Sequence, residues 1–182
     1  MADDEGLKAL LSRVNPAMIV VTTAAEGERA GCLVGFHAQS SITPPRYTVW
    51  LSKANHTYRV GLRSTHFALH FLAAGDHAVA AAFGGLTGDE TDKFAGRSVL
   101  SGPGGVPLLA ELPNRLVGRR VCALDEGGDH VCLVLEPVAA AAADGDAPFT
   151  PLRLAQAIDI APGHGNTERP APPTERAAPA AP

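Results

Sequence analysis

Ser52, Lys53, Asn55, His56 and Thr57 place hydroxyl, ammonium, amide and imidazole donors in one short segment. The segment reads as a loop opening a helix, with Asn55 at the N-cap and the helix running through Leu62. A helix N-terminus attracts anions through its free N–H groups and its dipole, and ionised donors strengthen such bonds. The chemistry these residues suit is the grip of a phosphate. The plainer alternative is a capping loop with a solvated lysine. His130 is a second candidate. It follows a turn and leads a strand, and imidazole changes charge near neutral pH, so it can supply a proton or orient a ligand. The alternative there is a turn histidine in solvent. Gln39, Ser40 and Ser41 form a polar run on a strand, where only alternate residues share a face.

The elements that must position these groups are short. Glu5 to Arg13 has helical spacing, and Asn15-Pro16 stops it. Ala17 to Thr23 is a β-branched strand, turned at Glu26-Gly27-Glu28 into a second strand, Ala30 to Val34. Ala38 to Ile42 and Arg46 to Ser52 flank Thr43-Pro44-Pro45, where proline cannot donate to a ladder. Phe67 to Leu72 alternates as a strand, which puts His70 on its wetter face, and Trp50 reads as core on its own alternating strand. Asp76 caps a helix from His77 to Phe83, and Gly84-Gly85 end it. Thr87 to Phe94 and Ser101 to Pro107 are loops. Asn114 to Leu124 and His130 to Ala140 form a long hairpin around Asp125 to Asp129, and Leu152 to Ile160 is a strand or a helix.

The whole is mainly β with a few short helices, which implies a closed or split barrel. The expected organisation is an N-terminal helix over 1–15, a domain over 16–162 and a disordered tail over 163–182. Ten of the thirteen residues from Pro170 to Pro182 are Ala or Pro, which cannot form a packed core.

With 182 residues, 46% of them apolar, the chain has the size and composition of one globular domain and a tail. A net charge of −4 argues against a nucleic-acid partner. No apolar run reaches the roughly 18 residues of a membrane helix. The acidic start, Met1 to Glu5, lacks a signal pattern, so the expectation is a cytoplasmic protein with no membrane partner. Cys32, Cys122 and Cys132 read as small buried hydrophobes in a reducing compartment. Their spacing with the histidines does not suggest a metal site.

From about Pro16 to Pro137 the chain resembles the flavin reductase-like family with the FMN-binding split-barrel fold. Four ordered blocks carry the resemblance. They are Ala17 to Thr23 with Ala30-Gly31 after its turn; Ala38 to Pro45 with Ser52 to Thr57 after its strand; Asp92-Lys93-Phe94; and Gly128-Asp129-His130 leading into Val131 to Pro137. The resemblance implies a Greek-key-like split barrel, a homodimer, FMN near the subunit interface, and hydride transfer from NADH or NADPH to flavin. It also implies a monooxygenase that receives reduced flavin. On it, backbone N–H groups of Val34, Gly35 and Phe36 meet the ring, and Gln39, Ser40 and Ser41 meet the ribityl chain or ring edge. Ser52, Lys53, Asn55, His56 and Thr57 hold the phosphate. Phe83 and its glycines approach the cofactor, Lys93 meets a phosphate, Phe94 stacks on a ring, and His130 serves catalysis, with His37 a further candidate. Where relatives carry small and hydroxyl residues after the glycine, this chain has Cys32-Leu33-Val34-Gly35-Phe36-His37. That run leaves room for F420 or haem instead, or for a flavin-binding module without turnover.

Overall fold

A computed structural model describes residues 4–143 and 149–163. Its element order is α1 (Asp4–Val14), β1 (Ile19–Ala25), β2 (Glu28–Val34), β3 (His37–Ile42), β4 (Pro45–Ser52), α2 (His56–Arg63), β5 (His66–Phe71), α3 (His77–Gly85), β6 (Val99–Ser101), β7 (Pro107–Leu109), β8 (Arg115–Leu124) and β9 (His130–Ala141). Seven strands form one antiparallel sheet in the order β2-β1-β5-β8-β9-β4-β3, and β6 pairs with β7. The chain-adjacent strands β2 and β3 thus lie at opposite edges, so the connection Gly35-Phe36 must span the seam of the curled sheet. The carbonyl of Phe36 accepts from the Trp50 N–H at 2.9 Å, tying that connection to β4.

Local chemistry accounts for the turns. Glu26 and Gly27 both have positive φ (53° and 83°), and Ala25 faces Glu28 across them. A two-residue hairpin of the I′ kind requires this geometry. Asn15, at φ 48°, ends α1. Its side-chain Oδ1 accepts from the Ala155 N–H and its carbonyl from Arg153, so the helix end is tied to the late segment 153–156.

Two cores follow from side-chain alternation. Ile19, Val21, Cys32, Val34, Val49, Leu51, Phe67, Leu69, Val131, Leu133 and Leu135 fill the barrel at every second position. On the other face, Met18, Val20 and Leu72 pack against Val79, Ala80 and Phe83 of α3, with Phe94, Leu109, Leu112 and Leu152. Strands β1 and β5 are therefore buried on both faces.

That double burial corrects the expectation for His70. Its outer face is covered by β7, and the residue is fully buried. Its Nε2 accepts from the Leu109 N–H at 3.1 Å, which places the proton on Nδ1, facing the Val20 carbonyl at 3.3 Å. Burial pushes its pKa down to about 4. Trp50 is only half-buried, because its strand turns it to the outer surface rather than the core. Cys32 and Cys132 are buried, but Cys122 is exposed, since its end of β8 extends past β5. The segment Ser101–Pro107 is a hairpin connection, between β6 and β7. Residues 152–160 hold isolated bridges and a short 3-10 turn, Leu154–Gln156. Of the expected tail, residues 164–182 lie outside the described residues.

Candidate active site

The end of β2, its connection to β3, the last residues of β4, the start of α2 and the first residue of β9 converge at one end of the barrel. Ser52 and His130 are register partners there, and Trp50 faces Cys132. Val34, Gly35, Phe36, Ser52, Asn55 and His130 line a single cavity of about 210 Å³, with Pro16, Met18, Leu33, Trp50 and Leu154 as its apolar walls. A second, more open hollow of about 630 Å³ shares Pro16, Gly35, Phe36, Trp50 and Leu154 with it and extends under α1 to Lys8, Leu11, Ser12 and Val14. Trp50 is the residue of this site that sequence reasoning assigned elsewhere. Its signal was the odd–even pattern of β4, in which Val49 and Leu51 take the core positions.

The polar groups at the cavity are few and placed by backbone. The Ser52 hydroxyl accepts from the Ala54 N–H at 3.3 Å. Asn55 stands at the N-cap of α2 in extended conformation, but its side chain makes no cap hydrogen bond. His130 meets Phe36 edge-on, with ring centroids 5.2 Å apart. Its Nδ1 lies 2.8 Å from the Asp129 carboxylate. The imidazole beside it holds the Asp129 carboxyl below the usual carboxylate range.

Other candidates lie elsewhere. Lys93 is buried, and its Nζ donates to the carbonyls of Gly31 (3.1 Å) and Phe83 (2.9 Å); burial lowers its pKa. Phe83 and Phe94 are core residues in edge-on contact at 5.5 Å. Lys93, Phe94 and His56 border a different cleft, beside Glu28 and Asp89. His56 faces Asp89 at 3.0 Å through Nδ1 and Glu28 at 3.1 Å through Nε2. Thr57 is buried and hydrogen-bonds Cys32. Lys53 donates to Asp125 at 2.7 Å. Gln39 and Ser40 are exposed and Ser41 half-buried on the edge strand β3. A bulge between Gln39 and Ser41 breaks the expected alternation. His37 borders the larger hollow, but its Nε2 donates to the Ala17 carbonyl and its Nδ1 accepts from the Tyr47 hydroxyl. Its role is to join strands.

The residues present suit a flat heteroaromatic ring with a polar rim. Met18, Leu33, Val34 and Trp50 offer apolar walls, while Ser52, Asn55 and His130 offer polar groups. Gly35 keeps the wall open, since a Cβ there would meet the Met18 sulfur at 3.3 Å. A family model described as flavin reductase like domain matches residues 11–156. The chain belongs to the flavin reductase-like family. A curated relative, the FMN reductase (NADH) RutF of Methylorubrum extorquens, is 27% identical over 90% of this chain and 89% of its own length. Among solved structures, the flavin reductase HpaC complexed with NADP+ superposes at a TM-score of 0.72, with 21% identity over 85% of this chain and 95% of its own. Component B of nitrilotriacetate monooxygenase from Mycobacterium thermoresistibile superposes at 0.70, with 23% identity over 80% of this chain and 79% of its own. These superpositions establish the split-barrel fold. Among the described residues, this family member has no helix long and apolar enough to cross a membrane.

Proposed function

We propose that this chain is an NAD(P)H-dependent FMN reductase whose ring site is the cavity between Gly35, Ser52 and His130. The observation that carries the reading is the meeting of Val34, Gly35, Phe36, Ser52, Asn55 and His130, from three distant stretches of sequence, around one apolar hollow. When bound there, flavin supplies the hydride acceptor. The protein's part is binding and orientation. Trp50, Leu33 and Met18 would hold the ring and keep water from it, the Ser52 hydroxyl and Asn55 amide would meet its polar rim, and His130 would orient the nicotinamide. With Nδ1–H donated to Asp129, Nε2 is the nitrogen His130 has left for a ligand. The N-terminus of α2 adds favourable N–H groups for a phosphate.

A homodimer, a cytoplasmic location and a monooxygenase taking the reduced flavin belong to the same reading. The relative named FMN reductase and the neighbour named as a monooxygenase component support it. The open apolar hollow and the exposed leucines of α1 provide a surface for the second subunit.

The test is a visible spectrum of the purified protein with FMN, followed by anaerobic NADH and NADPH. A perturbed flavin spectrum that bleaches is expected. Perturbation without bleaching under either nucleotide would identify a binding module, and a response to F420 or haem alone would reassign the cofactor.

A further inference from the structure

We propose that Lys53 is a positioning residue: with Asp125 it clasps the β8–β9 turn to the end of β4 and so holds His130 at the cavity wall. The consequence for turnover rests on the reductase reading; the clasp itself does not.

Strand β9 pairs with β4 as far as His130, but the turn before it and the β8 arm have little else to hold them. Strand β8 pairs with β5 only as far as Arg119. Every residue from Val121 to Asp129 is exposed. Three hydrogen bonds shape and tether the turn. Lys53 Nζ donates to Asp125 Oδ1 at 2.7 Å. The Lys53 N–H donates to the Asp129 carbonyl at 2.9 Å. The Gly127 N–H donates to the same Asp125 carboxylate at 2.9 Å, with Gly127 itself at φ 82°. Lys53 thus grips both ends of a five-residue turn that leads directly into His130. Asp129 then fixes the imidazole by accepting from Nδ1.

Charge argues the same way. The turn carries Asp125, Glu126 and Asp129. An anion reaching Lys53 would have to displace Asp125 and sit among these carboxylates. The side chain is three-quarters buried against the turn, with 23% of its surface exposed. Lys53 is therefore poorly placed to hold a phosphate and well placed to hold the loop.

The two roles make opposite predictions for Asp125. Under a clasp, Lys53→Met and Asp125→Asn are equivalent, and the double variant is no worse than either. Backbone amide exchange in residues 126–131 of the flavin-free protein should rise about fivefold in each, the scale of one partly exposed ion pair. Flavin affinity, read by fluorescence quenching, should change less than about threefold. The rate of flavin reduction by NADH in a single turnover should fall by the same factor in all three variants, and half-molar salt should reproduce part of the exchange effect in wild type. Two outcomes would overturn the proposal. One is unchanged exchange in both single variants. The other is tenfold weaker flavin binding in Lys53→Met alongside unchanged or tighter binding in Asp125→Asn, which would make Lys53 a phosphate ligand. Failure of the protein to bind or reduce any flavin would sink the reductase reading and leave the exchange result standing on its own.

Discussion

His70 shows how a single residue can carry the pH behaviour of the fold. In the folded protein its pKa is pushed down to about 4 by burial, against 6.5 for the ordinary group. Between those values the unfolded chain binds more protons than the folded one, so stability falls as pH drops. The contribution is complete above about pH 6.5 and is lost progressively towards pH 4, amounting to roughly 3 kcal/mol at 1.36 kcal/mol per unit. Urea unfolding from pH 7.5 to 4.5 should show this slope, and His70→Gln should flatten it while costing stability at pH 7. At the site, His130→Asn should slow flavin reduction about tenfold or more with a smaller change in flavin affinity; stopped-flow bleaching checks this. Cysteine reactivity divides equally sharply. Burial raises the Cys32 thiol pKa, whereas Cys122 is exposed. A thiol reagent should therefore modify Cys122 first in the native protein, and Cys122→Ser should remove that fast phase.

At the scale of elements, the informative contact is between β2 and α3. Gly31 lies in β2 on the outer face, where a Cβ would stand 2.7 Å from Phe83 Cε1 and 3.2 Å from Thr22 Cγ2. Phe83 is held by Phe94 and by the guanidinium of Arg97, 5.5 Å from its ring. It cannot retreat without moving α3. Gly31→Ala should destabilise the fold by about 1–3 kcal/mol, measured by urea titration. Gly75→Ala, where a Cβ meets nothing within 4 Å, is the control and should be near neutral. Because β2 also leads into Gly35, the Gly31 variant should weaken flavin binding as well as stability. The same packing explains Lys93: its ammonium is a strut between β2 and the end of α3, bonded to a carbonyl of each.

At the scale of the whole molecule, the cavity and the larger hollow together form an apolar surface that the described residues leave open. Leu7, Leu10, Leu11 and Val14 of α1 recur at helical spacing and are 46–62% exposed, and Phe36 beside them is 59% exposed. Such a stripe beside a half-open site is the mark of a surface used in association. The purified protein should run as a dimer in sedimentation. Leu10→Glu with Leu11→Glu should shift it towards monomer and weaken flavin binding in parallel, since the hollow would lose its cover. A monomeric wild type that binds flavin tightly would contradict this.

Residue order alone decided the strands and most of the turns. The β-branched run Ala17 to Thr23 and the apolar runs Val49 to Leu51 and Val131 to Leu135, bounded by Glu26-Gly27 and Pro44-Pro45, are local properties that need no partner to be read. Ser52, Asn55 and the histidine after Asp129 are legible as candidate polar groups and do meet at the cavity, whereas Lys53, His56 and Thr57 from the same segment face other partners. What the sequence could not convey was which face each strand shows to what. Alternation with Phe67, Leu69 and Phe71 predicts the wetter face for His70, yet β7 closes over that face. Trp50 reads as core on its alternating strand, yet its neighbours Val49 and Leu51 hold the inward positions and leave it at the cavity. Lys53 and Lys93 looked alike as phosphate ligands, but one is committed to a carboxylate 72 residues away and the other to two carbonyls. Local pattern follows from the chain's own stereochemistry, whereas the partner of a charge and the cover of a strand face depend on contacts that only the curled sheet brings together.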